Sequence, residues 1–228
     1  MHRARVRPPR SLWWARGRAR AARLDRKAGL HPRRGCHSAG ATAALRRRYV
    51  IAHELGHHLL HAPTGQLSLC TDGDFLRYDA AAGDAEEEAN WFAAALLMPE
   101  PLFKPKCEVQ QPTLAVVRAL ATAFSTTQTA TAIRFVELCP EACSVVWSER
   151  GVIKWAIRGP DFWPWIEFGR QLESYTHAAD AFNGKPIPKE PQIVPARAWT
   201  NKDGGDIYED TEWFSSLGAT LSLLWLPS

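Results

Sequence analysis

Two predominantly apolar segments in the first half of the chain are bounded by signals that start and stop helices. The first runs from about Thr42 to Ala62, and its many apolar residues predict a largely buried helix that ends at the following Pro-Thr-Gly turn. The second begins at Asp84, which forms a D-x-x-E capping box with Glu87, and Pro99 ends it. The pattern therefore predicts two helices separated by a polar loop over residues 66–83.

The remainder of the chain continues as helix and then changes to strand-forming sequence. Residues 114–138 predict two further helices, and an apolar run with glycine in its turn predicts a β-hairpin over residues 143–157. Short apolar runs predict further strands at residues 192–199, 207–214 and 220–226. Residues 168–181 could form a helix. We therefore expect an α+β fold, with a helical core at residues 45–140 followed by a small, mostly β region at residues 141–228.

The two helices at residues 114–138 resemble a helix-turn-helix. Five apolar side chains share one face of the first helix: Leu114, Val117, Leu120, Ala121 and Phe124. The second helix carries only Arg134 as a basic residue, which is a poor basis for phosphate contacts. We therefore favour packing of this pair against the two preceding helices over binding to DNA.

Charge divides the chain into a basic arm and an acidic body. Residues 1–48 carry 15 Lys and Arg and one acid, Asp25, for a net charge of +14, and the remainder has a net charge of −10. Gly and Pro recur among the arginines, so residues 1–44 are predicted to be disordered. This arm could contact nucleic acid weakly, with Trp13 and Trp14 stacking on bases. A solvated tail, or a stretch upstream of the natural start, is the simpler alternative, and a transit peptide is disfavoured because serines are few.

No feature of the sequence indicates secretion or a membrane. The longest apolar run is shorter than 18 residues, and the N-terminus lacks the apolar segment of a signal peptide. The five cysteines are an odd number without a CxxC pair: Cys36, Cys70, Cys107, Cys139 and Cys143. This pattern favours a reducing compartment and disfavours both a disulfide framework and a zinc ribbon. We expect a cytoplasmic protein that contacts no membrane.

The first predicted helix contains an HExxH pattern formed by His53, Glu54 and His57. On a helix the two histidines stand at i and i+4, so both imidazoles can reach one cation. Glu54 is rotated about 100° from His53 and can polarise a water held there. Histidines paired inside an ordinary core, or a surface helix rich in His and Glu, would show the same pattern. The apolar context favours a metal site, because buried histidines need partners.

Glu86 on the second helix is the acid best placed to complete such a site. At about 100° per residue the predicted buried stripe comprises Ala89, Phe92, Ala93, Leu96 and Leu97. Glu86 lies nearest to this stripe, whereas Glu87 is explained by capping and Glu88 lies on the far flank. A carboxylate that faces the core needs a cation, and two histidines with a glutamate from a second helix are the gluzincin arrangement around zinc. His61 is about 12 Å along the axis from His53, so one ion cannot bind both.

The two helices resemble those of a known family. The segments RRRYVIAHELGHHLLH, at residues 46–61, and EEEANWFAAALLMP, at residues 86–99, resemble the metal-binding helices of the ImmA/IrrE metallo-endopeptidases. A looser similarity continues through residues 115–138. The family usually has a folded α/β segment before the HExxH helix, where this chain has the arginine-rich arm.

The resemblance implies a zincin-like metallopeptidase core. His53, His57 and Glu86 would then be zinc ligands, and Glu54 the catalytic acid. It further implies cleavage or inactivation of a DNA-binding repressor in mobile-element control or stress response.

The leading hypothesis is thus a cytoplasmic zinc-dependent endopeptidase that acts on a helix-turn-helix repressor or antitoxin-like regulator encoded nearby. Glu54 would take a proton from the attacking water and pass it to the leaving amine. Asn90 is expected to hydrogen-bond a ligand imidazole or to stabilise the second helix. His61, Tyr78 and His177 are candidates for stabilising the oxyanion, although a structural role is favoured for each. The alternative is a non-proteolytic regulator that binds DNA or a partner through its basic arm or C-terminal region.

Overall fold

The computed structural model describes residues 39–61, 84–201 and 204–227. Its helices are α1 (Ala39–Leu60), α2 (Asp84–Leu97), α3 (Glu100–Phe103), α4 (Leu114–Phe124), α5 (Gln128–Leu138) and α6 (His177–Phe182). Its strands are β1 (Cys143–Glu149), β2 (Val152–Arg158), β3 (Gln192–Pro195), β4 (Asp206–Phe214) and β5 (Ala219–Trp225). Helices in the first part and a sheet in the second confirm the predicted α+β class. Most of the predicted arm and the polar loop at residues 66–83 lie outside the described residues.

Helix α1 begins at Ala39 instead of Thr42, so residues 39–44 are helical and not part of a disordered arm. The sequence there is rich in alanine, the residue with the highest helix propensity. The helix ends at Leu60, two residues before the predicted end. Helix α2 starts at Asp84, as predicted.

Helix α1 buries the two histidines of its motif, as predicted, but it is not largely buried. Its buried residues are Ala52, His53, Gly56 and His57, whereas Ile51, Leu55 and Leu59 are 61%, 39% and 52% exposed. The prediction of a largely buried helix is therefore wrong for these three side chains. Leu96 of the predicted α2 stripe is also half exposed, at 50%, although Ala89, Ala93 and Leu97 are buried. On α1 the buried positions are therefore small residues and histidines, and not the large aliphatic side chains.

The helix pair α4 and α5 packs between the metal-motif helices and the sheet. Arg48 of α1 donates to the carbonyl oxygens of Phe124 and Ser125 at 2.8 and 2.9 Å and so caps the C-terminus of α4. On the sheet side, the Asp210 carboxylate accepts from the backbone N–H of Leu114 at 2.7 Å. Glu212 pairs with Arg118 at 2.8 Å and accepts from Gln128 at 2.6 Å. The predicted apolar face of α4 is buried, which agrees with a packing role.

The five strands form one antiparallel sheet in the order β2-β1-β5-β4-β3. The predicted hairpin is present as β1 and β2, and Arg150 and Gly151 take positive φ angles in its tight turn. The proposed helix at residues 168–181 is wrong over its first half, because α6 starts only at His177. Residues 168–176 instead follow the edge of β2, where the Gly169 N–H donates to Ile153 O at 2.9 Å. Gly169 has a φ of +77°, which helix geometry excludes.

Each face of the sheet covers its own apolar core. Val145, Leu221 and Leu223 point towards the helices α1, α2, α4 and α5, and Val146, Ile207 and Leu224 point towards the loops and α6. Cys107, Cys139 and Cys143 are buried with free thiols, whereas Cys36 and Cys70 lie outside the described residues. No helix in the described part of the chain has the length and apolar character that a bilayer span requires.

Candidate metal centre

Three side chains that the sequence selected meet between α1 and α2. Glu86 places one carboxylate oxygen 3.2 Å from His53 Nε2 and the other 3.4 Å from His57 Nε2. The two Nε2 atoms lie 3.0 Å from each other. His53 and His57 are 2% and 9% exposed, so the donor atoms face one another away from bulk solvent.

Small residues make this meeting geometrically feasible. Gly56 lies on α1 between the two histidines, and a Cβ at this position would be 3.1 Å from Ala89 Cα and 3.1 Å from Phe92 Cβ. Ala89 and Ala93 on α2 are both fully buried against this face. The absence of a side chain at Gly56 therefore lets α2 approach until its Glu86 reaches both imidazoles.

Asn90 fixes the orientation of the His53 ring. Its side-chain oxygen lies 3.0 Å from His53 Nδ1, and an amide oxygen can only accept, so Nδ1 carries the hydrogen. The Nε2 atom then carries a lone pair that faces the centre of the site. The Tyr49 hydroxyl donates to the same Asn90 oxygen at 3.4 Å. The predicted hydrogen bond from Asn90 to a histidine of the motif is therefore present.

Electrostatics also keep His53 in the form that binds cations. Burial lowers the pKa of His53, and the neighbouring His57 lowers it further, whereas Asn90, Glu86 and Glu54 act in the opposite direction. A neutral imidazole retains the lone pair that a metal requires.

The Nδ1 atom of His57 contacts His61, which in turn contacts Glu88, and the sequence did not predict this connection. His57 Nδ1 lies 3.1 Å from His61 Nδ1, and His61 Nε2 lies 2.9 Å from a carboxylate oxygen of Glu88. The sequence placed Glu88 on the far flank of α2, and for His61 it favoured a structural role over an oxyanion role without naming a partner. The i+4 spacing of His61 from His57 was the signal that could have indicated a contact.

The other predicted groups are spread more widely. Glu54 lies on α1 next to His53, and its side chain is exposed. His177 belongs to α6 on the opposite side of the sheet, so the structure does not bring it to the site. Tyr78 lies outside the described residues. Of the two oxyanion candidates within the described residues, His61 is the one near the motif, and its ring nitrogens contact His57 and Glu88.

The donor set fits a metal ion. His53, His57 and Glu86 each offer a ligand atom, and these atoms lie within 4.8 Å of one another; no other His, Cys, Asp or Glu group in the described residues does so. Two imidazole nitrogens and one carboxylate oxygen are the ligands of a catalytic zinc site that keeps a position open. Two lone pairs facing each other at 3.0 Å repel unless a cation or a proton lies between them.

Comparison with known proteins gives one family match. A family model described as Peptidase_M78, the IrrE N-terminal-like domain, matches residues 39–135. No curated protein sequence matches the chain. Among solved structures, a Mycobacterium tuberculosis transcriptional regulator is similar with a TM-score of 0.49 and 15% sequence identity, over 78% of this chain. The chain spans 56% of the length of that regulator.

Proposed function

Because residues 39–135 belong to the family of IrrE N-terminal-like domains and share its metallopeptidase fold, we propose that the chain is a zinc-dependent endopeptidase. His53, His57 and Glu86 hold the ion, and Glu54 is the general base. The observation that carries this proposal is the convergence of the three donor atoms within 4.8 Å, on a helix that also presents Glu54. A structural zinc site has four protein ligands, whereas the described residues bring three together, which leaves a position for chemistry.

The protein groups divide the work of peptide hydrolysis. A bound zinc supplies a Lewis acid that makes water more acidic and a carbonyl more electrophilic. Glu54 accepts a proton from the attacking water as the water oxygen bonds to the carbonyl carbon. It then gives that proton to the amide nitrogen, and the C–N bond breaks to release an amine and a carboxylic acid, which passes its remaining proton to the amine to give a carboxylate and an ammonium group. Asn90 holds His53 in the required tautomer throughout.

The proposed substrate is a DNA-binding repressor or antitoxin-like regulator encoded near this gene, in a stress response or in mobile-element control. This part of the proposal rests on the resemblance of the α1 and α2 sequences to the ImmA/IrrE metallo-endopeptidases. The proposed compartment is the cytoplasm, where such a regulator is found.

A DNA-binding role through α4 and α5 has less support. Arg134, the single basic residue of α5, contacts Glu137 at 3.2 Å and the carbonyl oxygen of Met98 at 3.4 Å. Gln128 at the start of α5 is bonded to Glu212 of the sheet. A DNA backbone would have to compete with these contacts, so a proteolytic role agrees better with the packing. A basic arm that contacts nucleic acid stays a prediction.

The test uses the full chain, a candidate regulator from a neighbouring gene, and the Glu54→Gln variant. We expect about one zinc per chain by elemental analysis, and cleavage of the regulator by the wild type. Glu54→Gln should bind the same amount of zinc and lose at least about 100-fold in cleavage rate, because general acid–base catalysis contributes about that much. Full activity of Glu54→Gln would refute the role of Glu54, and a wild type that binds no zinc would refute the proposal as a whole.

A further inference from the structure

His61 and Glu88 form a second polar connection between α1 and α2, outside the three proposed ligands. His61 follows the last residue of α1 and is 6% exposed, and its backbone N–H donates to His57 O at 2.9 Å. Its ring is tilted by 53° to that of His57, with the ring centroids 5.1 Å apart. A buried imidazole with both nitrogens engaged is held in one orientation.

The order of hydrogen bonds along this connection assigns the hydrogen on each nitrogen. A carboxylate only accepts, so His61 Nε2 carries the hydrogen that Glu88 receives at 2.9 Å. The other nitrogen of a neutral His61 is then an acceptor, and His57 Nδ1 must donate to it at 3.1 Å. His57 Nε2 is left with its lone pair, 3.4 Å from the Glu86 carboxylate.

From this geometry we infer that Glu88 and His61 are positioning residues for the metal ligand His57, a role that rests on the proposed metal site. Asn90 gives His53 a neutral acceptor, whereas Glu88 gives His57 an acceptor polarised by a full negative charge. A metal-binding histidine whose second nitrogen is bonded to a carboxylate is a stronger donor, and its ring cannot rotate away. Here the Glu88 carboxylate acts on His57 through the imidazole of His61.

The contacts of Asn90 with His53 and of Glu88 with His61 hold both ends of the site in place. Asn90 and Glu88 follow Glu86 on α2, and they bond to two histidines eight positions apart in sequence, His53 of α1 and His61 directly after it. Rotation of either helix about its axis would break one of these contacts. The pair therefore fixes the register at which Glu86 meets both imidazoles.

The experiment measures metal affinity in the full chain, which is stripped with a chelator and titrated with Zn²⁺ against a chromophoric competitor. His61→Leu removes the acceptor for His57, and Glu88→Gln keeps an acceptor oxygen but removes the charge. His61→Asn offers an oxygen at the position of Nδ1 and should restore the bond to His57. His58→Asn is the matched control, because His58 is exposed and adjacent to His57.

We expect His61→Leu to weaken Zn²⁺ binding roughly 10- to 100-fold and Glu88→Gln to weaken it by about 10-fold, since loss of such supporting contacts has this size. His61→Asn should recover most of the loss, and His58→Asn should bind as the wild type does. The visible absorption bands of the Co²⁺-loaded protein should shift in Glu88→Gln at saturating metal, because the ligand field at His57 changes. A merely structural contact would not move these bands.

Two outcomes separate this inference from the proposed function. If the wild type binds Zn²⁺ and Glu88→Gln shows the wild-type affinity and Co²⁺ spectrum, the positioning role is overturned while the metal site stands. If the wild type itself binds no Zn²⁺, both fail. Because Glu88 is more than half exposed, at 56% of its side chain, its substitution is readable even if His61→Leu does not fold.

Discussion

Replacing Gly56 with alanine would measure how closely the two metal-binding helices must approach. The added Cβ would lie 3.1 Å from Ala89 Cα and 3.2 Å from Ala89 O, and both atoms belong to the α2 backbone. Carbon contacts prefer roughly 3.5 to 4.0 Å, so α2 must move by several tenths of an ångström. No flexible side chain can absorb that displacement at Ala89.

Two opposing terms set the expected change in stability. Alanine in mid-helix is favoured over glycine by about 1 kcal/mol, whereas overpacking a close contact costs about 1 to 3 kcal/mol. We therefore expect Gly56→Ala to lower the unfolding free energy of the metal-free protein by about 1 kcal/mol. Zinc affinity should fall as well, because a displacement of α2 carries Glu86 with it and exceeds the roughly 0.2 Å tolerance of metal–ligand distances.

Urea unfolding of the metal-free protein gives the first quantity, and chelator competition gives the second. Ala95→Gly is the control for helix propensity. Because Ala95 is exposed on α2, its substitution changes the helix propensity without changing a close contact between the helices. It should cost about 1 kcal/mol and leave zinc affinity unchanged. If Gly56→Ala raised the unfolding free energy by the full amount expected from helix propensity, about 1 kcal/mol, and bound zinc as the wild type does, the two helices would not need to approach this closely.

Three further predictions follow from the fold. Gly159→Ala should destabilise the protein by about 3 kcal/mol or more in urea unfolding, because its Cβ would lie 2.6 Å from Val136 O and 2.9 Å from Cys143 O. Glu209→Gln should cost about 1 to 3 kcal/mol, since the buried Glu209 carboxylate accepts from three donors and an amide would turn its NH₂ group towards one of them. Burial raises the pKa of Glu209 in the folded protein. The stability that this group contributes is therefore greatest below its pKa in the unfolded chain, and it is lost as pH rises through its pKa in the folded protein. The difference in unfolding free energy between the wild type and Glu209→Gln should therefore shrink from about pH 4 to about pH 8. Removing zinc should lower the unfolding free energy by about 3 kcal/mol relative to protein at a free zinc concentration 100 times the dissociation constant.

The sequence was sufficient to select the three candidate ligands that meet between α1 and α2, but not the residues that surround them. Counting positions at 100° singled out Glu86 from three adjacent acids, and the structure brings it to His53 and His57. The same count predicted no contact for Glu88. It gives the direction in which a side chain leaves its own helix, but it does not show which residues of the neighbouring helix lie there. The contact between Glu88 and His61 depends on how far α1 extends past α2, which no pattern within either helix contains.

Burial on α1 was misjudged for a related reason. Large apolar side chains such as Ile51 and Leu59 were expected inside, yet they are exposed, and Gly56 and Ala52 are buried. Helices approach most closely where side chains are small, and a site that must join both backbones needs that close approach. Likewise, residues 168–176 carry apolar residues suited to a helix, but Gln171 pairs with Val152 across a long stretch of sequence. The spacing of apolar residues within one segment carries no information about a contact with another segment.

The contact between α1 and α2 is itself made largely of the metal site. Histidines 53, 57 and 61 of the α1 segment face Glu86, Glu88 and Asn90 of α2, and the closest approach between them is that of Gly56 to Ala89 and Phe92. Burial of alanine and glycine contributes little hydrophobic free energy compared with the burial of leucine or isoleucine. We therefore expect the pairing of these two helices to draw on the polar contacts and, if the proposed metal binds, on the cation that would relieve the repulsion between the two Nε2 lone pairs. Metal binding and the docking of α1 onto α2 are then one equilibrium, so chelation should loosen this helix pair before it affects the sheet.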